Sequence, residues 1–78
     1  MTVLVTGAAG FIGFQTSQQL LSQGNKVVGV DNLNDYYDVS LKKARLKILG
    51  KHDLFYFECL DIADQKAIKD LIIKYGEI

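Results

Sequence analysis

Three glycines spaced by three, Gly7, Gly10 and Gly13, follow directly on the apolar run Val3-Leu4-Val5. A short apolar run closed by glycine reads as a buried parallel strand. The glycines allow a tight turn and bring the backbone close to a bound group, where a Cβ would intrude. From Phe11 the sequence becomes helical, and a helix that starts there points its unpaired N–H groups and positive dipole end at the turn. A second apolar run with Val27, Val28 and Val30 ends on Asp31, eighteen residues after Gly13. Strand, glycine turn, helix, strand and terminal carboxylate form the signature of a dinucleotide-binding βαβ unit.

Each part of the signature has a chemical task. The turn and the helix start, Gly7, Gly10, Phe11, Ile12 and Gly13, suit a pyrophosphate, with Gly10 at the point of closest approach. Asp31 is placed to accept hydrogen bonds from the hydroxyls of an adenosine ribose, and its charge opposes a 2′-phosphate. The expected cofactor is therefore NAD.

The remaining sequence continues the alternation. Residues 2–5 read as the first strand and 11–23 as a helix with Ile12, Leu20 and Leu21 on its apolar face. Gly13 and Ser17 keep part of that face small, and Gly24 fits a left-handed cap. After the second strand comes a polar loop, residues 32–38, and then a helix over 41–49 with Ser40 as its N-cap and Gly50 after it. Residues 54–60 alternate as a third strand. Residues 64–75 form a third helix, with Ile68, Leu71, Ile72 and Tyr75 at helical spacing. The expected fold is α/β, the βαβαβα first half of a doubly wound Rossmann fold, with strands in the order 3-2-1. That order leaves the first strand at an edge although its sequence is that of a central strand. The 78 residues accordingly read as the N-terminal part of an NAD-binding domain, with the rest of that domain and a substrate domain to follow.

Charge and composition narrow the function classes. Nine basic and nine acidic residues cancel, so no global field attracts nucleic acid or anionic membrane. The basic residues Lys42, Lys43, Arg45, Lys47 and Lys51 alternate with Leu41, Ala44 and Ile48, which predicts a solvated charged helix face over an apolar one. The single cysteine, Cys59, lies in an apolar strand and reads as a buried thiol with no metal-ligand spacing around it. No signal peptide or spanning segment is evident, so the expected compartment is cytoplasmic. His52 stands in a polar turn with no acid at catalytic spacing.

The run from Thr6 to Gly13, with its G-x-x-G-x-x-G spacing, resembles the short-chain dehydrogenase/reductase superfamily and its extended branch of sugar-nucleotide epimerases and dehydratases. The stretch Val30-Asp31-Asn32-Leu33-Asn34-Asp35-Tyr36-Tyr37-Asp38-Val39-Ser40-Leu41-Lys42-Lys43-Ala44-Arg45-Leu46 resembles the NAD-dependent UDP-glucuronate 4-epimerases of the CapI-like group. The resemblance implies that Asp31 and Asn32 hold the adenosine ribose and that residues 34–37 lie beside the adenosine end. It also implies that Asp61 and Ile62 hold the adenine. On its own, Asp61 reads equally as a cap for the turn into the third helix, and residues 34–37 as a polar turn with Tyr36 and Tyr37 partly in the core.

The same resemblance implies a UDP-sugar as substrate of a longer parent protein, transient oxidation at C4 of the sugar, and a role in surface polysaccharide synthesis. It also implies a homodimer for the parent alone. Its Tyr-x-x-x-Lys pair has no counterpart here. Tyr36, Tyr37 and Tyr56 are followed four residues on by Ser40, Leu41 and Leu60, and Tyr75 by none. The 78 residues by themselves are thus expected to be inactive and short of packing partners. The rival readings are another extended-family enzyme, a UDP-galactose 4-epimerase or a nucleotide-sugar dehydratase, and a non-catalytic NAD-binding remnant or sensor.

Overall fold

The computed structural model describes residues 1–33 and 39–76. Six elements alternate along the chain: β1 (Thr2–Thr6), α1 (Phe11–Ser22), β2 (Lys26–Asp31), α2 (Val39–Leu49), β3 (Phe55–Cys59) and α3 (Gln65–Tyr75). The strands make one parallel sheet with β2 between β1 and β3, the order that the sequence predicts. Among the described residues β1 pairs with β2 alone, so its other edge is open.

Strand alternation sorts the core into two layers. Val27 joins Val5, Ala8, Leu21 and Leu49 on the face covered by α1 and α2. Val28 and Val30 meet Leu71 of α3 on the opposite face. All three β2 valines are fully buried, where their branching favours extended backbone. Gly29, between them, has no room for a side chain. A Cβ there would stand 2.8 Å from the Ala8 Cβ and 2.9 Å from the Phe55 ring. The missing side chain lets the segment after β1 lie down on the sheet.

The helix ends follow their local chemistry. Gly24, just beyond α1, has φ +85°, a conformation that glycine adopts without steric cost. Asp64 caps α3, its side chain accepting from the Ala67 N–H at 3.1 Å. Helix α2 begins at Val39, so Ser40 lies in its first turn and not at the cap position.

Four expectations about burial are corrected. The inward face of α2 carries Lys42, Arg45, Leu46 and Leu49, while Leu41, Ala44 and Ile48 are exposed. Both stripes have helical spacing. Leu46 and Leu49 provide the apolar anchor, and Lys42 buries its stem because its ammonium finds a carboxylate at Asp31. Cys59 is exposed, being the last residue of edge strand β3. Ile12 is exposed at the start of α1, and Ile72 is exposed on α3, where Leu71 provides the buried contact. Among the described residues, no helix is long and apolar enough to cross a membrane.

On the α3 face, Glu58 Oε2 accepts from the Tyr75 hydroxyl at 2.7 Å and from Lys74 Nζ at 3.0 Å. Those two hydrogen bonds hold the Glu58 carboxyl below its usual range. Burial, followed by the bond to Glu58, pushes the Tyr75 phenol up to about 12. A raised folded-state value means that the stabilisation is complete below the unfolded tyrosine value of about 10. It is lost as pH rises from there toward about 12. Urea unfolding as a function of pH is expected to show Tyr75→Phe losing less stability than the wild type across this alkaline window. Parallel curves for the two proteins would contradict the assignment.

Candidate functional site

The C-terminal ends of the three parallel strands bring the candidate residues together. Beyond Thr6 the chain enters Gly7 with φ +65°, a left-handed conformation that glycine tolerates. The Gly10 N–H donates to the Gly7 carbonyl at 2.9 Å, and the Ala8 N–H donates to Val30 O at 3.1 Å, which ties the turn to β2. A Cβ on Gly13 would run into the Gly7 carbonyl oxygen, with the Gly7 carbonyl carbon at 2.7 Å and the Ala8 Cα at 3.0 Å. A Cβ on Gly10 would stand 3.2 Å from the Gly7 carbonyl oxygen. Gly13 therefore seats α1 on the turn, and Gly10 keeps the turn itself narrow.

Helix α1 opens with Gly10 in extended geometry and no side-chain cap. Its first-turn N–H groups have no intrahelical acceptor, and the neighbouring Phe11 and Ile12 side chains are exposed. This end of the helix carries the positive pole of its dipole, which suits an anion.

Asp31, the last residue of β2, is buried. Its Oδ2 accepts from the Ala9 N–H at 3.1 Å. Its Oδ1 accepts from the Leu33 N–H at 2.8 Å and from Lys42 Nζ at 3.1 Å. Arg45, one turn further along α2, donates from Nη1 to Ala9 O at 3.1 Å and sets its guanidinium carbon 6.0 Å from the Phe11 ring centroid. Helix α2 thus reaches the glycine turn directly through Arg45 and by way of Asp31 through Lys42. The sequence predicts a solvated face for both and a binding-site position for neither. The available signal was the spacing of Lys42, Arg45 and Leu49, three and seven residues apart, which places them on one helix face.

Asp61 follows β3 in an exposed turn. Its Oδ1 accepts from the Ala63 N–H at 2.9 Å and its carbonyl accepts from the Asp64 N–H at 2.9 Å. Asp61 shapes the turn, and Asp64 caps the helix. Ile62 beside it is exposed.

Two hollows that share lining residues result. A groove of about 900 Å³ runs along the open edge of β1 and is lined by Gly7, Gly10, Phe11, Ile12, Gly13 and Asp31. A smaller hollow of about 250 Å³ is lined by Gly7, Asp31, Asn32, Asp61 and Ile62. Every candidate binding residue from the sequence lines at least one of them. Gly7, Asp31 and Lys42 line both. Residues 34–37, including Tyr36 and Tyr37, lie outside the described residues.

Comparison with known proteins bears on this geometry. The sequence model of the GDP-mannose 4,6 dehydratase family matches residues 4–77. An uncharacterized 37.6 kDa protein in the cld 5′ region of Escherichia coli O111:H- is 59% identical over 91% of this chain and 21% of its own length. A UDP-glucuronate 4-epimerase of Thermodesulfobacterium geofontis is 50% identical over 94% of this chain and 23% of its own. The crystal structure of UDP-glucuronic acid 4-epimerase from Bacillus cereus in complex with UDP-glucuronic acid and NAD superimposes with a TM-score of 0.77 at 36% identity. That match covers 90% of this chain and 24% of the Bacillus chain. The chain spans about a fifth of the length of the curated relatives it matches.

The glycine geometry sets an order of sensitivity. Gly13→Ala is expected to lower the unfolding free energy by about 1–3 kcal/mol through overpacking, and Gly10→Ala by less. Urea denaturation of the two variants measures both costs; equal costs, or a larger one at Gly10, would contradict the packing described.

Proposed function

The chain belongs to the GDP-mannose 4,6 dehydratase family, and from this membership we propose that it is the NAD-binding part of a nucleotide-sugar epimerase acting on UDP-glucuronate. The observation that carries the reading is the meeting of the glycine turn, Asp31 with Asn32, and Asp61 with Ile62 at the strand ends. Ligands of open α/β sheets bind at that edge. The epimerase neighbour from Bacillus cereus, solved with NAD, matches this part of the chain.

In this reading the first-turn N–H groups of α1 and the narrow turn at Gly10 receive the pyrophosphate. Asp31 and Asn32 hold the adenosine ribose. Asp61 accepts from the adenine amine while the Ile62 N–H meets a ring nitrogen. When bound, NAD supplies a reversible hydride acceptor for the C4 carbinol of the sugar. The chain's own part is to fix the adenosine end and the phosphates, so that the reactive end is held in register with a substrate. Tyr36, Tyr37 and Tyr56 are not followed four residues on by a lysine, and the proton transfer at the sugar is assigned to none of them.

The test is incubation of a longer parent protein that contains this chain with NAD and UDP-glucuronate, followed by NMR of the sugar. UDP-galacturonate is the expected product. A product that has lost water, or activity on UDP-galactose alone, would replace this reading with another chemistry of the extended family. Gly10→Val is expected to abolish NAD binding with the circular dichroism spectrum retained. Unchanged NAD affinity in that variant would show that the turn serves packing alone.

A further inference from the structure

Arg45 meets the glycine turn on either side of Gly10. Its Nη1 donates to the Ala9 carbonyl at 3.1 Å, and its guanidinium carbon stands 6.0 Å from the Phe11 ring centroid, at the reach of a cation–π contact. The Ala9 carbonyl shares a peptide plane with the Gly10 N–H, which donates to Gly7 O at 2.9 Å. In a trans peptide these two groups point in opposite directions. The plane is therefore held from both sides, by Arg45 from α2 and by Gly7 from within the turn. The preceding peptide is held separately, through the Ala9 N–H on Asp31. Gly10 is also the N-cap of α1, in extended geometry and without a side-chain cap. Glycine has the most backbone freedom to lose, so its order here comes from contacts on its neighbours.

We infer that Arg45 is a positioning residue of the cofactor site, which presets the Ala9–Gly10 peptide so that the start of α1 can receive the phosphates of a dinucleotide. The inference rests on the reading of the site as NAD-binding. Turned over, this peptide would bring its carbonyl oxygen to the Gly7 side, and Gly7 lines both hollows. A partial negative charge there opposes a phosphate. The orientation held by Arg45 keeps that oxygen on the α2 side instead. The Arg45 side chain is half-buried and lines the larger groove with Gly10 and Phe11, so it acts beside the space that the ligand would fill. The turn is ordered before any ligand arrives, and order present in advance does not subtract from binding. The effect is local to the phosphate end. Asp31 keeps its Ala9 and Leu33 N–H donors when Arg45 is replaced, so the adenosine end does not depend on Arg45.

The experiment compares the wild type with Arg45→Met and Arg45→Lys in a longer parent protein that contains this chain. Titration calorimetry measures NAD and ADP, and ligand-observed NMR measures adenosine, which lacks the phosphates. Arg45→Met is expected to weaken NAD and ADP by about tenfold, the worth of one hydrogen bond to a charged group, and to leave adenosine unchanged. Arg45→Lys keeps the charge without the planar fork and is expected to lose about threefold on the same two ligands. In the cofactor-free Arg45→Met protein, hydrogen exchange at the Gly10 amide is expected to speed up. Unchanged NAD and ADP affinities in Arg45→Met, unchanged exchange at Gly10, or an equal loss for adenosine would overturn the inference while leaving the NAD site standing. Wild-type affinities in Arg45→Lys would overturn it as well, since charge alone would then account for the effect. Where Arg45→Met does not fold, the Arg45→Lys arm decides by the same comparison of ADP with adenosine. A folded wild type that binds neither NAD nor ADP would overturn the NAD reading and this inference with it.

Discussion

Donors from three parts of the chain meet on the Asp31 carboxylate: the Ala9 N–H of the glycine turn, the Leu33 N–H just beyond β2, and the Lys42 ammonium of α2. Each group depends on the others. Removing one partner of the buried Asp31–Lys42 pair typically costs about 3–5 kcal/mol. Asp31 without its donors would be a desolvated carboxylate with empty acceptor positions. Ala9 is gripped at both ends of its peptide framework, since its N–H donates to Asp31 and its carbonyl accepts from Arg45. The glycine turn, free to bend because of its glycines, is in this way held in one shape by polar contacts from β2 and α2.

This polar tie works only because the sheet beneath it is rigid. The fully buried valines of β2 pack against a helix layer on each face. Gly29 removes the one side chain that would lift the turn off the sheet, since Ala8 and Phe55 already fill that space. Parallel pairing then carries the ends of β1, β2 and β3 to the same edge. The glycine turn, Asp31 and the Asp61 turn come together there without contact being required between them in sequence.

The order of elements was legible in the sequence because it rests on short-range chemistry. Glycine spacing, the valine run ending on Asp31, and the Gly24 position each act over a few residues, and each stands where the pattern places it, whereas Asp64 is the cap of α3 and not its first residue. The face of α2 was not legible. Leu41, Ala44 and Ile48 have the same helical spacing as Lys42, Arg45 and Leu49, and hydrophobicity favours the former. The choice is made by a carboxylate eleven residues from Lys42 and a backbone carbonyl thirty-six residues from Arg45, which periodicity cannot register. Cys59 failed for a related reason: strand alternation gives the face of a residue but not whether a helix covers that end of the strand. Asp61 admitted two readings from sequence, and its side chain lies in the turn at 2.9 Å from the Ala63 N–H while still lining the smaller hollow.

The coupling between Asp31 and Lys42 can be measured directly by a double-mutant cycle in urea unfolding, with Asp31→Asn, Lys42→Met and both together, in the absence of any cofactor. A buried, hydrogen-bonded pair that holds α2 to the glycine turn predicts that the double variant is more stable than the sum of the single losses allows, by about 1–3 kcal/mol. Additivity of the two losses to within about 0.3 kcal/mol would mean that the two side chains do not act as a unit, and that something other than Asp31 fixes the turn.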